Sequence, residues 1–201
     1  MRNKNNRQNG YTIIETMIAV SVFLVVAMYG MDSLLSANLL HQKSADMRSI
    51  MDNLSFIMED MSRNLRTGSN YHCSFGPDTP QASGGTALSS PSGGNCWGIA
   101  FEPSGGDPAT LADQWFYNVS LDNKLWKTTR LESLSDYVQL TPEEVSINSV
   151  SGFTVLGAEP STTGDTQEPL VTIRLVGTIT FKNVVTPFSL QTSVSQRLID
   201  I

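Results

Sequence analysis

Residues 11–31 contain one charged side chain, Glu15, in a run of 21 otherwise uncharged and mostly apolar positions. As an α-helix rising 1.5 Å per residue, the run covers about 31 Å, the thickness of a bilayer's hydrocarbon core. Three cations, Arg2, Lys4 and Arg7, stand before it. Basic residues ahead of an apolar span predict a cytoplasmic N-terminus. A carboxylate one turn inside such a run is costly in lipid and calls for a partner. Whatever the rest of the chain does, this segment must be covered by lipid or by other helices.

The order of features at its start is restrictive: a short basic leader, then Gly10, Tyr11, Thr12, Ile13, Ile14, Glu15 and the long apolar stretch. This order resembles the prepilin N-terminus of type IV pilins and type II secretion pseudopilins. The resemblance implies that a prepilin peptidase cuts after Gly10. It also implies that Tyr11 becomes the N-methylated first residue, where Phe is the common choice, and that Glu15 acts in assembly. Two simpler readings stand beside it. A secretory signal has its cleavage site after the apolar run, at small residues; here the glycine precedes the run and no clear site follows. A plain single-pass anchor gives no reason for Glu15.

Net charge is −6, and removal of the three leader cations would leave −9. An acidic chain without a basic cluster argues against direct nucleic-acid binding. Charged residues make up only 16%, which fits an exported β-rich domain with long loops. The cysteines are Cys73 and Cys96. Beyond a membrane-crossing helix both lie where disulfides persist, and a bridge closing that loop would stabilise by about 3 kcal/mol. Two free thiols are the rival state.

Past Asp32 the apolar residues become periodic: Leu35, Leu39, Met47, Ile50, Met51, Leu54, Ile57, Met58, Met61 and Leu65. Steps of three and four predict an amphipathic continuation of the same helix to Thr67, with the methionines filling core. Lys43, Asp46, Arg48, Asp52, Glu59, Asp60, Arg63 and Arg66 fall on the other face. Glu59 and Arg63 stand four apart, in the order that favours an ion pair. Gly68 is the expected stop, as a residue able to take a left-handed cap. Where major pilins commonly carry a proline a little past the twentieth mature residue, this chain has Asp32, a departure that leans toward a minor pilin.

Residues 71–112 read as loop-rich, with a strand over 97–101 and low-complexity disorder as the alternative for 79–95. Residues 115–120 and 125–129 flank a turn with Asp122-Asn123 and predict a hairpin. Residues 131–140 are ambiguous. Short strands are expected at 145–147 and 153–156. Alternation of period two over 170–181 and 187–198 predicts two long antiparallel strands with one buried face, Pro187 suiting a strand start or an edge. The helix's apolar face is the natural cover, so the expected class is α+β: a long N-terminal helix on a C-terminal antiparallel sheet domain. The expected division is leader 1–10, transmembrane and assembly helix 11–33, amphipathic helix 34–68, and extracytoplasmic β-rich head 69–201. This order, with the hairpin ending near Lys127 and Arg130 and the closing run 190–197, is similar to minor pilins of the pseudopilin J and W-type group.

No catalytic set emerges. His41 and His72 lack metal-ligand spacing with the cysteines, and no nucleophile elbow, phosphate loop or dinucleotide fingerprint occurs. Asp107, Asp113, Asp165 and Glu168 lie in loops and carry oxygens that Ca²⁺ could use; unbound surface acids are the simpler reading, and no metal or cofactor is assigned. The expectation is therefore a structural subunit, not an enzyme, of a type IV pilus or type II secretion pseudopilus. Its partners would be prepilin peptidase, other pilins met through the helix, and an inner-membrane assembly platform, with no nucleic acid and no small-molecule substrate. It would reside as a single-pass protein of the cytoplasmic membrane before joining a filament. A filament-tip adhesin on the same scaffold is the alternative.

Overall fold

The computed structural model describes residues 10–74, 96–131, 136–159, 167–181 and 184–197. The chain is α+β, one long helix followed by antiparallel sheets. It divides into two compact units between Arg48 and Ser49.

Helix α1 spans Ile13–Thr67. In the first unit its residues are almost all exposed. In the second, Ile50, Leu54, Ile57, Met58, Met61 and Leu65 are buried, spaced by three and four as one helical face requires. The buried stripe thus begins at Ile50, and the expected earlier members Leu35 and Leu39 remain exposed. Met58 and Met61 are core, as their spacing suggests.

The helix ends at Thr67, but not through a left-handed glycine: the residue with positive φ is Asn70, at 52°. Gly68 is needed for space, because a β-carbon there would overlap the Phe101 ring. The last carbonyls of a helix have no partner inside it. Here the Tyr71 hydroxyl donates to the Leu65 carbonyl at 2.6 Å and the Arg197 N–H donates to the Arg66 carbonyl at 2.8 Å.

The first sheet is a five-stranded antiparallel array in sequence order: β1 (Ser69–Ser74), β2 (Gly98–Glu102), β3 (Trp115–Val119), β4 (Leu125–Thr128) and β5 (Val138–Gln139). The β3–β4 hairpin forms where expected, with Asn123 at φ 62° and Asp122 Oδ1 accepting the Lys124 N–H. The second sheet contains β6 (Val145–Ile147), β7 (Gly152–Leu156), β8 (Leu170–Phe181) and β9 (Val184–Ser195). Strand β9 pairs along the whole of β8, so β6 and β7 share the opposite edge of β8. Pro187 lies inside β9, three residues past its start. An edge strand tolerates it because one side of its ladder is unpaired.

The sheets are stitched at Cys96. Its N–H and carbonyl exchange hydrogen bonds with Phe153 of β7 at 2.7 and 2.8 Å, and its sulfur is bonded to Cys73 of β1, with a Cα separation of 5.5 Å. Inward-facing Val171, Ile173, Leu175 and Ile179 of β8 are buried, as period two requires. Tyr71, Trp115 and Tyr117 surround Phe101, the Tyr117 ring stacking on it at 5.9 Å.

Candidate processing and assembly site

The helix starts at Ile13, not Tyr11, because Thr12 caps it. The Thr12 carbonyl accepts the Thr16 N–H at 3.2 Å, and Thr12 Oγ1 lies 3.4 Å from the Glu15 N–H. Thr12-Ile13-Ile14-Glu15 is thus the T-x-x-E pattern of a helix N-terminus, with the Glu15 N–H shared between the Thr12 carbonyl at 3.1 Å and the Thr12 hydroxyl. That pattern is visible in the sequence as part of the six-residue motif.

Gly10 and Tyr11 precede the cap in irregular backbone, and both are exposed. Tyr11 is 83% exposed, and a β-carbon on Gly10 would meet no atom within 4 Å. Packing among the described residues does not require glycine at that position. The peptide bond joining the two is open to approach.

Behind the cap, the polar groups of the run separate into two kinds. The Thr16 and Ser21 hydroxyls donate to the carbonyls of Ile13 and Ile18, each at 2.8 Å. They carry no unsatisfied donor into an apolar medium. The Glu15 carboxylate is exposed, and among the described residues no hydrogen bond or ion pair engages it. It sits in the first turn, where the helix dipole favours negative charge. Around it Ile14, Met17, Ile18, Val20, Val22, Phe23 and Leu24 are all more than half exposed. Being nearly consecutive, they cover every side of the helix. Its apolar stretch has a mean hydropathy of 2.1 with no part buried inside the chain, and it is long enough to cross a membrane.

In the second unit the helix is fastened by polar contacts as well as by its buried stripe. Asp60 Oδ2 accepts from Lys127 Nζ at 3.1 Å and from the Tyr117 hydroxyl at 3.3 Å, while Asn64 Nδ2 donates to that hydroxyl at 2.9 Å. Lys127 Nζ also lies 4.5 Å from the centre of the Trp115 ring, close enough for a cation–π contact. Burial pushes the Tyr117 phenol's pKa upward; the Asn64 hydrogen bond opposes this and Asp60 adds to it. The expected Glu59–Arg63 ion pair does not form: among the described residues the pairs are Lys127–Asp60 and Lys124–Glu143. A helix acid reaching a sheet lysine replaces the local pair.

The remaining candidates do not converge. His41 is exposed on the helix. His72 lies in β1 with its pKa lowered by burial, and its neighbour Cys73 is in the disulfide. Asp107 and Asp113 share the β2–β3 connection, Glu168 accepts from Ser195 Oγ ahead of β8, and Asp165 lies outside the described residues. No group of three or more His, Cys, Asp or Glu side chains among the described residues is placed to hold a metal.

Residues 5–30 match the family described as the prokaryotic N-terminal methylation motif. Neither the curated proteins nor the solved structures give a match. The matched segment contains the whole site just described, from before Gly10 to beyond Glu15. It supports a pilin-like subunit, for which the motif implies processing by a prepilin peptidase and assembly with other pilins, and the exposed apolar helix fits a membrane anchor.

Proposed function

We propose that this chain is a structural minor pilin or pseudopilin, cleaved between Gly10 and Tyr11, N-methylated on Tyr11, and built into a type IV pilus or a type II secretion pseudopilus. The observation that carries the reading is the unpaired Glu15 carboxylate in the first turn of a helix whose apolar surface is exposed all round.

Cleavage leaves Thr12 in place, so the mature helix keeps its cap. It also creates an ammonium on Tyr11, at the positive end of the helix dipole, where a cation is disfavoured. In lipid that ammonium and Glu15 are each costly. Brought together across two subunits they attract strongly, although desolvation offsets much of the gain. Glu15 of an incoming subunit therefore meets the terminal amine of its neighbour and sets the axial register, while the apolar side chains of adjacent helices replace lipid. The leader cations hold the N-terminus in the cytoplasm before processing, and an inner-membrane platform receives the subunit. Asp32, in place of the proline common in major pilins, supports a minor role. The order of its elements is similar to that of the pseudopilin J and W-type minor pilins.

Glu15→Ala tests this. The variant is expected to insert, to be cleaved, and to disappear from sheared filaments. Normal incorporation of Glu15→Ala would overturn the register role. Recovery of an intact Met1 from filament material, with Tyr11 internal and unmodified, would overturn the processing.

A further inference from the structure

Glu102 ends β2 and is 2% exposed. No N–H or O–H donor reaches either of its carboxylate oxygens or Asp113 Oδ1 among the described residues, and the Glu102 and Asp113 carboxyl groups lie within hydrogen-bonding reach of each other. The remaining oxygen of that pair, Asp113 Oδ2, accepts the Asp107 N–H at 2.8 Å. Gly106 lies against both groups: a β-carbon there would overlap Glu102 Oε1 and stand 3.1 Å from Asp113 Oδ2. Burial, the facing Asp113 carboxyl and Asp107 push the Glu102 pKa up to about 7. Asp107 is otherwise engaged in its own turn, its Oδ1 accepting the Ala109 N–H at 3.0 Å. Asp113 and Gly106 border an open cavity of about 840 Å³ that Trp115, Thr129 and Arg130 also line. No salt bridge among the described residues joins Arg130 to either acid.

Buried oxygens that no donor reaches are rare, and three of them on two neighbouring carboxyl groups need a common explanation. A proton shared between the two carboxyl groups satisfies two oxygens and leaves the third bare. A hard divalent cation satisfies all three, since it binds six to eight oxygens and neutralises both charges. We propose that Glu102 and Asp113 hold a divalent cation of the Ca²⁺ class beneath this cavity, which Asp113 lines and the buried Glu102 does not, pinning the 103–114 connection to the end of β2. With two carboxylates and water as the other ligands, binding falls in the weak range of extracellular modules, a dissociation constant of about 10⁻⁴–10⁻³ M. Gly106 keeps the space that the Glu102 carboxylate itself occupies, which any side chain there would displace.

The test uses the full chain in detergent, stripped with EDTA and held above neutral pH so that both acids ionise. Tb³⁺ is expected to give saturable emission sensitised through Trp115, which Ca²⁺ displaces. Titration calorimetry with Ca²⁺ alone should show one site. Glu102→Gln and Asp113→Asn should each weaken Ca²⁺ binding at least about tenfold, as should Gly106→Ala, while Asp107→Asn should change it less, because its carboxylate serves its own turn. Near-UV circular dichroism checks that the variants fold. Wild-type protein showing no saturable Ca²⁺ heat and no Tb³⁺ emission overturns the site without any variant, leaving the pair to share a proton. Binding that survives both Glu102→Gln and Asp113→Asn overturns it equally.

Discussion

Leu24 and Leu54 stand on the same helix, yet Leu24 is 55% exposed and Leu54 is fully buried. The contrast extends through the two units. Before Arg48 the apolar residues are almost all exposed, and none of the described ones is fully buried. After Ser49 most of them share one buried face, from Ile50 to Leu65, with Phe56 left outside it at 72% exposure. The helical periodicity is the same in both places, so the difference lies in how polar residues are placed around it. From Ile50 on, charged side chains hold the opposite face, and one of them, Asp60, reaches back to Lys127. Along residues 16–31 no charge interrupts the surface. The first region can be satisfied only by something outside the chain, and the second is satisfied by its own sheets.

Leucine truncations give that contrast its largest expected effect. Leu54→Ala should destabilise the head by about 2–5 kcal/mol, because it leaves a cavity in a packed site. Leu24→Ala should change head stability by no more than about 0.5 kcal/mol, the usual range for exposed positions. Chemical denaturation in detergent, followed through the tryptophans, reads both. Equal losses would dissolve the distinction between the two regions.

Next comes the stitch between the sheets. Cys73 and Cys96 are separated by 23 positions in sequence, and opening a loop of that length costs about 3 kcal/mol in the chain-entropy model. The Cys73→Ser, Cys96→Ser double variant should lose roughly that much head stability. Cleavage after Gly10 should be unaffected, because nothing in the first unit depends on the bridge. A processing defect in that variant would show that the two regions are coupled.

A smaller and conditional effect comes from Glu102. Its folded pKa, about 7, lies above its ordinary value of 4.5. Between these values the folded state binds the proton and the unfolded state does not, so stability falls as pH rises through this window. The loss is at most about 3 kcal/mol and is fully felt above pH 7. Thermal melts in EDTA at pH 5 and pH 8 should differ in that direction, and Glu102→Gln should flatten the difference. A profile unchanged by the substitution would show that other groups carry the pH dependence.

Much of this molecule is legible in its sequence, where residue spacing states the environment. Period two over residues 170–181 and the three–four steps after Ile50 announce buried faces on their own. The aromatic hairpin and its Asp122-Asn123 turn are equally local. Strand β1 is not: Ser69-Asn70-Tyr71-His72-Cys73-Ser74 alternates poorly, and its register shifts between Ser69 and His72. It is a strand because β2 and the disulfide hold it there. Glu102 misleads for a related reason. At the end of an apolar strand a glutamate reads as the return to solvent, and only the fold of residues 103–114 over it makes it buried. At the helix start the six-residue motif is plain, but the hydrogen bonding of Thr12 is a matter of geometry.

That cap sets the smallest expected effect, and it separates two jobs that the motif combines. Thr12 orders the helix start within one chain, whereas Glu15 offers its carboxylate to another. Replacing an N-cap threonine by alanine costs about 1 kcal/mol, which is about a fivefold rise in local opening. Thr12→Ala should therefore speed hydrogen exchange at the Glu15 amide by at most about fivefold in detergent, since the backbone carbonyl at position 12 still accepts that N–H, and Thr12→Ser should restore it. Glu15→Ala should leave that exchange close to wild type, since the amide and its Thr12 partner remain. If Glu15→Ala frays the first turn as much as Thr12→Ala does, the acid stabilises its own helix and is not held in reserve for a neighbour. The two regions would then differ in exposure alone, and the unpaired carboxylate would lose its claim to a partner in the next subunit.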